Sequence, residues 1–181
     1  MIINAFGDSV VAGFGVGREN SFVNIDRKDI IINNFGINGT TSLDVLNLIN
    51  RVDFKDTFLL YVGINDFLSE ISFYDVEKNI ERIADSITGR CSKIVLCTPH
   101  FLSSDATYGW CNSSIFLSVN RKLELYQEFL VNLARCREFN IINYYKILGN
   151  YKDYDSLFFD GIHPTISTHK IMREELKKVV L

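Results

Sequence analysis

Short runs of β-branched and aromatic residues alternate along this chain with longer segments whose apolar positions recur at three- and four-residue intervals. The short runs read as buried strands, since a brief apolar stretch bounded by Gly, Asn or Asp suits a pleated interior strand. Five stand out: Ile2 to Phe6, Ile30 to Asn34, Thr57 to Val62, Lys93 to Thr98 and Asn140 to Tyr144. The longer segments read as amphipathic helices. Ser42 to Val52 carries Leu43, Leu46 and Ile49 at helical spacing, with Thr41 or Ser42 as its N-cap. Tyr74 to Thr88 repeats Val76, Ile80, Ile83 and Ile87, and Ile115 to Arg137 includes Leu123, Phe129, Leu130 and Leu133. Ser167 to Val180 closes the chain, with Ile171, Leu176 and Val179 expected to point inward. Strands alternating with helices predict an α/β fold around a parallel sheet. With no internal repeat, low-complexity tract or Pro/Gly-rich linker, residues 1–181 are expected to form one domain.

In open parallel sheets ligands gather at the carboxyl ends of the strands, so the residues that follow each run are where chemistry is sought. The first run leads into Gly7-Asp8-Ser9. A serine at a strand-to-helix turn exposes its hydroxyl beside the free N–H groups of the helix start, which favour developing negative charge. The competing reading is a turn with a helix cap. The second run leads into Asn34-Phe35-Gly36-Ile37-Asn38-Gly39-Thr40-Thr41, where Gly39 either presents a bare backbone N–H to a site or shapes a turn. The third ends in Gly63-Ile64-Asn65-Asp66, where the amide of Asn65 is a neutral donor for an oxyanion and Asp66 is expected to cap the next segment. Near the end comes Asp160-Gly161-Ile162-His163-Pro164. A neutral imidazole takes a serine proton only in one tautomer, and a carboxylate three residues away on the same loop can hold it there. Each motif alone also suits a turn. Their joint occurrence, three of them directly after successive strands, is poorly explained by coincidence.

Composition narrows the function classes. With 47% hydrophobic and 23% charged residues the chain has the make-up of a globular protein. A net charge of −3 and scattered basic residues offer no footprint for nucleic acid, and Lys177-Lys178, following Glu174 and Glu175, reads as a solvated helix face. No apolar run approaches the roughly 20 residues of a membrane span. The N-terminal MIINAFGDS lacks the features of a signal peptide and already contains Ser9, so a cytoplasmic location is expected. Four cysteines, Cys91, Cys97, Cys111 and Cys136, lack metal or redox spacing, and Cys97 and Cys136 read as small core residues. No His/Asp/Glu spacing suggests a metal, and no cofactor is expected.

The set GDSVVAG, NFGINGTT, GIND and DGIHP resembles the SGNH/GDSL hydrolase superfamily, whose blocks carry a catalytic Ser, an oxyanion Gly, an oxyanion Asn and a catalytic His. The resemblance spans residues 5 to about 168. It implies a three-layer α/β/α, flavodoxin-like fold with a five-stranded parallel sheet in the order 2-1-3-4-5. It implies Ser9, Asp160 and His163 as the catalytic triad, with Ser9, Gly39 and Asn65 as the oxyanion hole. The α/β-hydrolase elbow does not fit, because Gly7-Asp8-Ser9-Val10-Val11 is not G-x-S-x-G. The expected activity is metal-free cleavage of a small-molecule ester through an acyl-Ser9 intermediate, such as removal of an acetyl group from a carbohydrate. Acyl transfer, thioester hydrolysis and lysophospholipid cleavage use the same residues; a non-catalytic binding module is the reading from another class. The stretch HFLSSDATYGWCNSS carries no family signature. Within it Tyr108 and Trp110 either wall a substrate pocket or pack the loop, and His100 either lines the cleft or is structural. His169 is expected to be structural or solvent-facing.

Overall fold

In the computed structural model, which describes residues 1–181, the central strands β1 (Ile2–Gly7) and β3 (Thr57–Tyr61) are buried along nearly their whole length. They are apolar on both faces because helices cover both sides of the sheet. With β2 (Ile31–Gly36), β4 (Lys93–Cys97) and β5 (Asn140–Ile142) they form a five-stranded parallel sheet in the order β2-β1-β3-β4-β5. Successive side chains alternate between two cores. Phe6, Phe58, Leu60 and Leu96 face one of them, together with α2 (Ser42–Ile49), α4 (Phe73–Ile87) and α5 (Ser113–Arg137). Ala5, Leu59, Tyr61, Val95 and Cys97 face the other, together with α1 (Ser9–Ala12), α6 (Tyr144–Gly149) and α7 (Ile166–Val180). The short α3 (Ile64–Leu68) follows β3 directly.

The register positions the chemistry. Gly7 lies opposite both Gly36 and Tyr61, and Tyr61 lies opposite Cys97. The carboxyl ends of four strands therefore share one line, and the segments holding Ser9, Gly39, Asn65 and His100 leave the sheet from the same edge.

Local differences from the sequence reading have physical causes. Thr41 is the N-cap of α2, in a capping box with Asp44. Leu43 is exposed, and Val45, Leu46 and Ile49 form the buried stripe instead. The helix stops at Ile49, with Asn50 as C-cap, before the expected Val52. β5 ends at Ile142 because the Asn143 side chain accepts the Lys146 N–H and caps α6, which Tyr144 begins. Cys97 is buried as expected, whereas Cys136 is exposed near the end of α5. In α7 Met172, Leu176 and Val180 reach deepest, while Ile171 and Val179 are partly buried. The solvated face is as expected, with Lys177 paired to Glu174 and Lys178 to Glu175. No helix is long and apolar enough to cross a membrane.

Candidate active site

The nucleophile candidate owes its position to a crowded strand end. A Cβ at Gly7 would lie 2.0 Å from the Tyr61 carbonyl oxygen and 2.6 Å from Val11, so only glycine lets β1 pass β3 this closely. The neighbouring strand, more than the turn itself, demands the glycine. Asp8 then caps α1 by accepting the Val10 N–H at 2.9 Å, which makes Ser9 the first helical residue. Asp8 is wholly buried, and its second carboxylate oxygen has no partner. Burial pushes its pKa up to about 7, although the Val10 N–H works against the rise.

The base candidate sits in a tight loop before α7. Phe158 and Pro164 form an antiparallel bridge, and the Phe159 N–H donates to the His163 carbonyl at 3.1 Å. Inside the loop, Asp160 Oδ1 accepts the N–H groups of Ile162 and His163 at 3.0 and 2.7 Å. Its Oδ2 lies 2.7 Å from His163 Nδ1, and His163 Nε2 lies 2.8 Å from Ser9 Oγ. An ionised carboxylate can only accept, so Nδ1 carries the proton and Nε2 offers its lone pair to the serine hydroxyl. Burial raises the pKa of Asp160, but the backbone and ring N–H groups of His163 and the Ile162 N–H more than offset this and hold it below the ordinary value.

Gly39 and Asn65 arrive from the neighbouring strands. Gly39 takes a φ of 78° with open space where a Cβ would point, so backbone conformation and not crowding requires glycine there. Asn65, in the first turn of α3, donates from Nδ2 to the Thr40 carbonyl at 3.0 Å. That bond fixes the amide plane and leaves its second N–H free. Asp66 has the structural role expected of it with a different partner. It accepts the Ser42 N–H at 3.0 Å and the Ser42 hydroxyl, tying α3 to the start of α2.

Ser9, Gly39, Asn65 and His163 bound one cavity of about 150 Å³, whose apolar walls are Phe14, Leu68, Trp110 and Ile162. A larger hollow of about 530 Å³, beside Arg27 and Arg173, contains none of these residues. The candidate residues converge on the smaller one. Trp110 also borders an adjoining hollow of about 470 Å³ with Asp105, Tyr108, Phe159 and Asp160. Tyr108 is 88% exposed and belongs to that outer hollow, not to the inner cavity.

His100 does not line the cleft. Its ring is completely buried, with Nδ1 2.7 Å from the Tyr61 hydroxyl and Nε2 2.7 Å from the Ile162 carbonyl, because the chain after β4 turns inward beneath the loop. His169 is structural and buried, accepting the Phe22 N–H at 3.1 Å. Two residues that the sequence reading did not single out are the aromatics against His163. The Phe14 and Phe159 rings lie 4.4 and 5.8 Å from the imidazole, and Trp110 lies 5.3 Å away. Phe14 stands five residues after Ser9 and Phe159 just before Asp160; an aromatic beside a candidate catalytic motif was the available signal. Leu68 carried none.

The family model for the GDSL-like lipase/acylhydrolase family matches residues 5–171. Among solved structures, a member of the lipolytic protein G-D-S-L family from Veillonella parvula superposes with a TM-score of 0.82 at 19% identity, over 99% of this chain and 98% of that one. A carbohydrate acetylesterase family member from Sinorhizobium meliloti superposes with a TM-score of 0.73 at 17% identity, over 99% and 96%. A catalytic mutant of an acetylxylan esterase from Geobacillus stearothermophilus does so with 0.72 at 15%, over 98% and 92%. At these identities the likeness is one of fold. No curated protein matches the chain in sequence.

Proposed function

The chain belongs to the GDSL-like lipase/acylhydrolase family, enzymes acting on ester bonds, and from that premise we propose that it cleaves short-chain acyl esters through an acyl-Ser9 intermediate. One observation carries the mechanism: the unbroken line from Ser9 Oγ through His163 to Asp160, with contacts of 2.8 and 2.7 Å. Ser9 Oγ attacks the carbonyl carbon as its proton passes to His163 Nε2. The oxyanion accepts hydrogen bonds from the N–H groups of Ser9 and Gly39 and the free N–H of Asn65. As the carbon–oxygen bond to the alcohol breaks, Nε2 returns the proton to the departing oxygen. Water then gives a proton to Nε2 and attacks the acyl carbon. Nε2 returns that proton to Ser9 Oγ as the bond from Oγ to the acyl carbon breaks, releasing the acid and restoring Ser9 and neutral His163. Asp160 stays ionised throughout and stabilises the imidazolium.

Cavity size supports a short acyl group. The inner cavity, about 150 Å³ and walled by Phe14, Leu68, Trp110 and Ile162, seats a carbonyl with a short chain, whereas a fatty chain would have to leave it past Trp110 for the neighbouring hollow. The outer hollow, with the aromatic faces of Tyr108, Trp110 and Phe159 and the Asp105 carboxylate, suits a polar alcohol such as a sugar. Removal of acetyl groups from a carbohydrate is therefore the preferred reading.

p-Nitrophenyl esters from acetate to palmitate, run beside acetylated sugars and acyl-CoA thioesters, test it. Acetate and butyrate are expected to turn over fastest, and Trp110→Ala to shift the preference toward longer chains. A palmitate or thioester optimum, or an unchanged preference in Trp110→Ala, would count against the assignment. Asn65→Ala is expected to lower kcat by about 100- to 1000-fold with a smaller change in KM, the range for one lost oxyanion donor. Wild-type kcat in that variant would remove Asn65 from the oxyanion hole.

A further inference from the structure

We propose that His100 is a positioning residue that clamps the loop carrying the base to the sheet carrying the nucleophile. The inference rests on the catalytic reading of Ser9 and His163. Those residues lie 154 positions apart in the chain, so their 2.8 Å contact depends on where the Asp160–His163 loop is anchored. Asp160 cannot supply that anchor. Its bonds to Ile162 and His163 are all internal to the loop, so they orient the imidazole but would move with it.

His100 reaches outside. The Ile162 carbonyl can only accept, so His100 Nε2 carries the proton and donates at 2.7 Å. Nδ1 is then an acceptor, and the Tyr61 hydroxyl donates to it at 2.7 Å. Both ring nitrogens are used and one tautomer is specified. Tyr61 is the last residue of β3, in register with Gly7, two residues before Ser9. The links therefore close a circuit: Ser9, Gly7, Tyr61, His100, Ile162, His163 and back to Ser9. Phe158, just ahead of the loop, stacks on the His100 ring with centroids 4.5 Å apart. Tyr61 and His100 are fully buried, where a hydrogen bond has no competing water and a lost partner is costly. Burial also drives the His100 pKa down to about 3, so the ring stays neutral and keeps both an acceptor and a donor in the working range. A second contact, from the Ser103 N–H to the Gly161 carbonyl at 2.9 Å, holds the loop from the segment after His100 but does not reach β3.

The test compares His100→Leu, His100→Gln and Tyr61→Phe with the wild-type enzyme, using p-nitrophenyl acetate kinetics, thermal unfolding and crystal structures. A displaced base costs rate with little change in binding, and a misplacement of about 1 Å can cost about 100-fold. His100→Leu is expected to lose about 10- to 100-fold in kcat at nearly constant KM, with the Ser9 Oγ to His163 Nε2 distance opened beyond hydrogen-bond range. His100→Gln keeps a donor and an acceptor and is expected to recover most of the loss. Tyr61→Phe, which leaves Nδ1 unpartnered, is expected to fall between them. An unchanged Ser9–His163 contact in His100→Leu overturns the clamp whatever the activity. So does failure of His100→Gln to recover kcat while remaining folded. If His100→Leu does not fold, His100→Gln and Tyr61→Phe decide on the same two readouts. A wild-type enzyme that hydrolyses none of the esters and resists a fluorophosphonate probe at Ser9 would instead refute the hydrolase mechanism, and the distances would still judge the clamp.

Discussion

Ser9→Ala and His163→Ala are each expected to lower kcat by about 10⁶-fold, and the double variant by no more than either single one. The reason is that the two side chains act as one unit. Without Oγ there is no acyl-enzyme, so the imidazole has no proton to take. Without the imidazole, Oγ remains an un-ionised hydroxyl at neutral pH and attacks poorly. What survives is the contribution of the oxyanion donors and of substrate binding, about 10³- to 10⁴-fold over water. The fold should persist, because Ser9→Ala removes a single hydrogen bond, to His163 at 2.8 Å, and leaves the Asp8 cap on Val10 in place. Turnover of p-nitrophenyl acetate and fluorophosphonate labelling give the check, with thermal unfolding as control. Multiplicative losses in the double variant would mean that Ser9 and His163 contribute independently and that the proton-transfer line is wrong.

The second large effect belongs to Asp160→Asn, for which a loss of about 10⁴-fold in kcat is expected. The substitution is nearly isosteric, and its side-chain oxygen can still accept the Ile162 and His163 N–H groups that Oδ1 now holds at 3.0 and 2.7 Å. The loop then keeps its shape. The amide NH₂ falls opposite His163 Nδ1, where a donor forces the ring proton to Nε2, facing Ser9 Oγ. An imidazole in that tautomer cannot take the serine proton. KM should change little, and a crystal structure of the variant should show the loop in place. Near-normal kcat with the loop intact would show that Asp160 shapes the loop without setting the tautomer. Acid sensitivity has a definite sign here. The Asp160 pKa lies below its ordinary 3.8, so its support for the charged and hydrogen-bonded loop is present above that value. That support is lost only as pH falls through the lower folded value. Activity lost on acidification above about pH 4 therefore has a cause other than Asp160 titration.

Much of this was legible from the chain itself. Strand and helix periodicities are properties of consecutive residues, and so are the caps and turns, because side-chain direction repeats every 2 or 3.6 positions whatever the rest of the molecule does. That is why all five strands were placed within two residues of their observed ends, and why the Ser9, Gly39, Asn65 and His163 segments could be assigned to strand ends. The motifs named the chemistry because the tripeptide at Ser9 and the loop at Asp160 are themselves local structures.

The errors fall where a residue's environment comes from elsewhere in the chain. Cys136 and Leu43 have helical neighbours that suggest burial, but which face of α5 or α2 meets the sheet is settled by packing against other elements. Asp66 had a structural role written in its type and position, while its partner, Ser42, lies 24 residues away. His100 appears in the sequence as a polar residue after a strand; only its contacts with Tyr61 and Ile162, 39 and 62 residues away, make it a buried strut. The size of the cavity beside Ser9 was likewise invisible, since Phe14, Leu68, Trp110 and Ile162 come from four separate segments. Residue order thus determined the elements and the reactive groups, whose signals are short-range. Tertiary packing decided which groups are buried, what each one touches and how much room the substrate has, because those depend on contacts between segments that no local pattern encodes.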